Sequence, residues 1–164
     1  MTMRAFLIVL AALAGLFSGA ASAMKVGDTA PDFTRADLGG KDVRLSGHRG
    51  KLVLLNFWAS WCPPCREEMP VFSRWQKALQ PAGLQIIGVS MDDDRSEVTR
   101  FLSQYPVAYP IVMGDARFAE QFGGVLGLPL TYLIDAHGRV VARYQGEADL
   151  AKMEAKVKEM LDRR

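Results

Sequence analysis

The sequence predicts an α/β fold: a mixed central β-sheet flanked by helices on both faces, with an N-terminal β-hairpin and a central insertion. Three observations carry this reading. Leu52–Trp58 (LVLLNFW) and Leu84–Ser90 (LQIIGVS) are nearly unbroken apolar runs, the pattern of strands covered on both faces. A helix-length stretch separates them, and strand–helix–strand order implies a parallel pair joined by a crossover. Late in the chain, Leu130–Ile134 and Arg139–Tyr144 flank Asp135-Ala136-His137-Gly138, a tight turn between antiparallel strands.

Taken in order, residues 27–31 are an irregular lead-in. The stretches 32–36 and 42–45 flank Gly39-Gly40 and read as a short hairpin. The first long strand is 52–58, with Asn56 its one polar member. A helix is expected over 65–79, kinked at Pro70, which lacks a backbone donor. Pro81 and Gly83 end it, and the second apolar strand follows. Asp92-Asp93-Asp94 reads as the cap of a helix over 95–105, because carboxylates favour that end. Pro106 and Pro110 bracket an extended piece reaching Met113. Asp115 caps a short helix to Phe122, stopped by Gly123-Gly124. The last helix, 148–161, carries a core stripe of Leu150, Met153, Val157 and Met160. No repeat or low-complexity segment interrupts this order.

The 164 residues fit one folded domain, and 49% are apolar, enough for a proper core. Residues 1–23 hold a single charged side chain, Arg4, so the rest carries 19 basic against 18 acidic groups. No basic face for nucleic acid is visible in that balance. Arg4, the apolar run 5–17 and Ala21-Ser22-Ala23 read as a secretory signal peptide cut before Met24, leaving a domain over 24–164. The alternative is an uncleaved anchor over 5–23, a stretch barely long enough to span a bilayer. Either way the domain is expected in an oxidising compartment, periplasmic or otherwise secreted.

The two cysteines sit in "FWASWCPPCREEMP", Cys62 and Cys65 around Pro63-Pro64. A structural bridge is a poor explanation, because so short a ring gains little loop-closure entropy. A c-type haem site needs His after the second Cys, and Arg66 stands there. A zinc site needs four ligands, and His48 and His137 read as loop and turn residues. A working dithiol fits better. A cysteine at a helix start meets free backbone N–H groups, which stabilise its thiolate. Cys62 is then the exposed nucleophile and Cys65, one turn in, the covered resolving thiol. Pro64 suits a first helical turn, and Pro63-Pro64 stiffens the loop.

"FWASWCPPC", the helix proline Pro70 and "GLPLTYLID" resemble the thioredoxin superfamily, specifically its secreted TlpA/ResA/DsbE-type thiol-disulfide oxidoreductases. The resemblance runs from Val26 to Leu161, nearly the whole mature chain. It implies a thioredoxin-like fold and a cis-proline at Pro129, beside the dithiol. There Leu128 would offer backbone hydrogen bonds to an extended substrate segment. It also implies that Glu68, three residues past Cys65, assists proton transfer, while Asn56 stands where thioredoxins proper carry a buried Asp. Trp61 flanks the nucleophile and belongs, with Pro63 and Pro64, to the docking surface. Trp58 and Trp75 read as packing residues. Peroxiredoxins share the scaffold, but their signature sets Pro seven and Thr or Ser three residues before the active Cys. Before Cys62 those places hold Leu55 and Ala59, and before Cys65 they hold Trp58 and Cys62, so the sequence points away from a peroxidase.

The expected function is dithiol–disulfide exchange with protein partners, catalysed by Cys62, Cys65 and Glu68, with no cofactor and no metal. The resemblance implies a monomeric reductant serving cytochrome c maturation, recharged by a membrane-bound redox partner. Two alternatives stay open at the level of the residues: a thiol-based copper chaperone, since soft thiolates select Cu(I), and a net oxidant of protein thiols. The fold itself does not choose a direction.

Overall fold

The computed structural model describes residues 23–163, so the expected leader lies outside the described residues apart from Ala23. The elements are β1 (Thr34–Ala36), β2 (Asp42–Arg44), a 3₁₀ turn (Leu45–His48), β3 (Leu52–Trp58), α1 (Pro63–Leu79), β4 (Leu84–Ser90) and α2 (Arg95–Gln104). Then come β5 (Ile111–Met113), α3 (Ala116–Gln121), β6 (Leu130–Ile134), β7 (Val140–Gln145) and α4 (Leu150–Asp162). β1 and β2 form an antiparallel hairpin, and the other strands make a five-stranded sheet in the order β5-β4-β3-β6-β7. β3, β4 and β5 run parallel. β6 and β7 are antiparallel to their neighbours.

Alternation along β3 divides the core. Val53, Leu55 and Phe57 point to one side, where Phe118 and Phe122 around α3 meet Phe33, Val43 and Leu45 of the N-terminal region. Leu52, Leu54 and Trp58 point to the other, against Phe72 and Trp75 of α1, Val98 of α2, and Met153 and Val157 of α4. Helices therefore cover both faces, as the two apolar runs required. The expected stripe on α4 is realised: Met153 and Val157 are buried, and Leu150 and Met160 pack partly buried against the same cluster at its ends. Asp149, not Ala148, sets the start of α4 by accepting the Lys152 N–H.

The hairpin does more than lead in. Leu38 N–H donates to Ile111 O at 3.0 Å, Asp37 bridges to Val112, and Arg35 Nη1 donates to Met113 O at 2.9 Å. All three residues of β5 are thus met on their outer side by the segment 35–38.

Gly88, in the middle of β4, shows why one position in an apolar run is glycine. A Cβ there would collide with Ile111 Cδ1 and would lie 3.1 Å from Trp58 Nε1 and 3.2 Å from Tyr109 Cε2. Those neighbours belong to a close-packed core and have little room to yield. Gly88→Ala is expected to destabilise the protein by about 1–3 kcal/mol, read as a lower urea midpoint at unchanged slope. An unchanged midpoint would show that Trp58 and Tyr109 are not packed there.

Candidate active site

The dithiol sits where β3 hands over to α1. Cys62 is the N-cap of α1 in extended backbone, and the Cys65 N–H donates to Cys62 Sγ at 3.4 Å. Pro63 and Pro64 open the helix, two residues before the expected start. Neither has an N–H, and the first turn needs none. The two sulfurs are bonded, with the Cα atoms 5.3 Å apart. One expectation needs correction: Cys62 is not exposed in this disulfide form. It is 4% exposed and Cys65 is 1% exposed. With its sulfur tied to Cys65, Cys62 packs in the same apolar cluster as Trp58, Met69 and Leu128.

Of the other residues singled out by sequence, Trp61, Pro63 and Pro64 adjoin the pair in the chain and Leu128 packs against its apolar cluster. Trp61 is 65% exposed immediately before Cys62. Pro63 is exposed and Pro64 half-buried. The Leu128–Pro129 peptide is cis. Pro129 is buried and its carbonyl accepts the Gly146 N–H at 2.8 Å, while Leu128 is half-buried against both core clusters. A groove of about 530 Å³ opens beside Pro63 between α1 and α2, lined by Arg66, Met69, Phe101, Tyr105 and Val107. The Arg66 guanidinium lies 5.5 Å from the Phe101 ring centre and 5.6 Å from that of Tyr105.

The buried polar residues of β3 and α1 singled out by sequence divide into neutral and ionisable. Asn56 is buried on β3 and donates from Nδ2 to Thr131 Oγ1 at 2.9 Å, across the β3–β6 pair. This pair carries no charge. Glu68, one turn past Cys65, is 4% exposed, and its Oε2 is buried without a hydrogen-bond partner. Burial pushes its pKa up to about 7 from 4.5; a backbone hydrogen bond from Ala148 opposes this and the nearby Glu147 adds to it. Glu68 is therefore not a solvated helix residue like Glu67, which is exposed. Its surroundings come from the far end of the chain, the loop between β7 and α4.

His48 and His137 stay apart from the site. His48 is half-buried on the 3₁₀ turn, with its pKa lowered by burial and by Lys51 and Lys41. His137 is exposed in the β6–β7 turn. Among the described residues no three His, Cys, Asp or Glu side chains gather as a metal site. Met69 is buried in the core.

Sequence reasoning missed Asp92. It was expected to cap α2, but Asp94 does that alone, accepting the Ser96 N–H at 2.7 Å. Asp92 is buried and accepts hydrogen bonds from Ser60, two residues before Cys62.

Comparison with known proteins matches this geometry to a family. The profile of the AhpC/TSA family covers residues 26–143. The thiol-disulfide oxidoreductase ResA of Geobacillus thermodenitrificans is 40% identical over 119 residues, 73% of this chain and 68% of that protein. ResA of Bacillus thuringiensis subsp. konkukian is 34% identical over 137 residues, 84% of this chain and 79% of that one. The chain belongs to the AhpC/TSA family, among its thioredoxin-like thiol-disulfide oxidoreductases. A crystal structure of a candidate thiol:disulfide interchange protein DsbE from Chlorobium tepidum superposes with a TM-score of 0.79 at 32% identity, covering 85% of this chain and 99% of that one. Within the AhpC/TSA family, Leu55 and Ala59 occupy the places of the peroxidatic Pro and Thr or Ser, and both ResA relatives carry the oxidoreductase name.

Proposed function

We propose that this oxidoreductase acts outside the cytosol as a dithiol reductant of protein disulfides, with Cys62 as nucleophile, Cys65 as resolving thiol and Glu68 as proton acceptor. The observation that carries the reading is the Cys62–Cys65 pair at the start of α1, with a buried carboxylate of pKa about 7 one turn further on. The Cys65 N–H, aimed at Cys62 Sγ at 3.4 Å, and the positive end of α1 favour a thiolate at Cys62 in the reduced enzyme. That thiolate attacks one sulfur of the partner's disulfide. The partner's S–S bond breaks, a mixed disulfide forms and one partner thiolate leaves. The Cys65 thiol gives its proton to the Glu68 carboxylate and attacks Cys62 Sγ. The second partner thiolate leaves, and the Cys62–Cys65 disulfide remains. The partner has gained two electrons, with protons from Glu68 and solvent.

Around this centre, Trp61, Pro63 and Pro64 form the docking face, and the Leu128 backbone, beside Pro129, holds an extended segment of the partner. The N-terminal sequence supports export, as leader or as anchor. Among the described residues, no helix is long and apolar enough to cross a membrane. The resemblance to TlpA/ResA/DsbE-type proteins supports cytochrome c maturation as the client pathway, a membrane-bound donor of electrons and a monomeric enzyme. Equilibration of the enzyme against glutathione and dithiothreitol buffers tests the direction. A potential near the reducing end for this fold, about −270 mV, is expected; one near −120 mV would make it an oxidant and overturn the reading.

A further inference from the structure

The carboxylate of Asp92 is turned under the loop between β3 and α1. Its Oδ1 accepts the Ser60 hydroxyl at 2.5 Å, and the Ser60 N–H is shared between Oδ1 at 3.2 Å and Oδ2 at 3.0 Å. Oδ2 also accepts the Ser90 hydroxyl at 2.7 Å, and Ser90 Oγ in turn accepts the Asp92 N–H at 3.1 Å. Asp92 is 3% exposed. None of the ion pairs among the described residues reaches it. A buried anion without a cation is costly unless donors fill its lone pairs, and here three donors do. The contact spans 32 residues of sequence. It forms because the register pairs Trp58 with Ser90 at the ends of β3 and β4, and the Met91 N–H closes the same corner onto Trp58 O at 2.8 Å.

We infer that Asp92 is a positioning residue for the dithiol: through Ser60 it fixes the loop that presents Trp61 and Cys62, and its fixed charge biases the cysteine pair toward the disulfide. The inference rests on the proposed thiolate chemistry at Cys62. Ser60 lies two residues away, so the backbones are within about 7 Å. Reduction of the disulfide adds two electrons and, when Cys62 stays ionised, one proton. The disulfide is uncharged and the reduced form holds an anion, so a nearby fixed anion disfavours reduction. The dithiol becomes a stronger reductant in consequence. At a charge separation on the order of 10 Å and an effective dielectric near 20, the effect is on the order of tenfold in the equilibrium constant. Tenfold is about 30 mV for a two-electron couple.

Asp92→Asn keeps the shape and removes the charge. Equilibrated with glutathione beside the parent, its disulfide is expected to be reduced on the order of tenfold more readily. A defect of structure alone lowers stability and leaves this constant in place, so an unchanged constant overturns the charge bias. Ser60→Ala keeps the carboxylate and removes the shortest bond. Its constant is expected to stay within about twofold of the parent, while attack of reduced Cys62 on a protein disulfide slows about threefold or more. Attack at the parental rate overturns the positioning role, and this arm decides even if Asp92→Asn does not fold. Failure of the functional reading shows elsewhere: a Cys62→Ser variant would then still exchange, whatever the two variants do.

Discussion

Cys62→Ser is expected to lose dithiol–disulfide exchange altogether, with insulin reduction by dithiothreitol falling to the rate without enzyme. A serine hydroxyl at that N-cap can still accept the Cys65 N–H, so α1 keeps its cap. What disappears is the nucleophilic sulfur. Cys65 alone does not replace it, because it sits within the first turn of α1 and its own N–H is aimed at the N-cap position rather than at its own sulfur. The matching variant, Cys65→Ser, is expected to attack once and stall. With no resolving thiol, the mixed disulfide between Cys62 and the partner accumulates and shows on a non-reducing gel, which also delivers the identity of the partner. Retained turnover by Cys62→Ser, or adducts formed through Cys65 instead, would reverse the assignment of the two sulfurs.

Glu68→Gln is expected to slow resolution of the mixed disulfide by about a hundredfold at pH 7, the low end for a positioned proton acceptor. The pH dependence separates this from a packing defect. In the parent, resolution falls as pH drops through about 7, because protonated Glu68 has no room for the Cys65 proton. In Glu68→Gln that inflection disappears. Stability of the oxidised protein moves the other way. The folded state binds this proton more tightly than the unfolded chain, whose carboxyl titrates near 4.5. The stabilisation is therefore full below about pH 4.5 and is lost as pH rises through about 7, by on the order of 2–3 kcal/mol. Urea titrations between pH 5 and pH 8 are expected to show that slope in the parent and not in Glu68→Gln. An equal slope in both places the carboxyl in water.

The apolar runs made much of this fold legible. β3, β4 and β6 begin and end where the sequence placed them, since a buried strand leaves no ambiguity once polar or turn residues close it. α1 starts two residues earlier than expected, because Pro63 and Pro64 both take up first-turn positions that need no N–H. Cys62, Cys65 and Pro129 were readable from spacing and resemblance. Glu68 was named through resemblance, but groups that act on it, Ala148 and Glu147, lie some eighty residues later, which no local pattern announces. Asp92 was hidden for a similar reason. In a row of three aspartates nothing marks one as buried; only the pairing of Trp58 with Ser90 sets it against Ser60. The covering of Cys62 was equally unreadable, since it comes with packing in a cluster that includes residues as far along the chain as Leu128.

The segment that lies along β5 has a bearing on behaviour far from the sulfurs. A bare sheet margin templates further strands, and chains stacked that way grow without limit. Here that margin is plugged from within the same molecule by Arg35, Asp37 and Leu38. A thiol-disulfide oxidoreductase is thereby spared from adding a strand of another chain to its own sheet at β5.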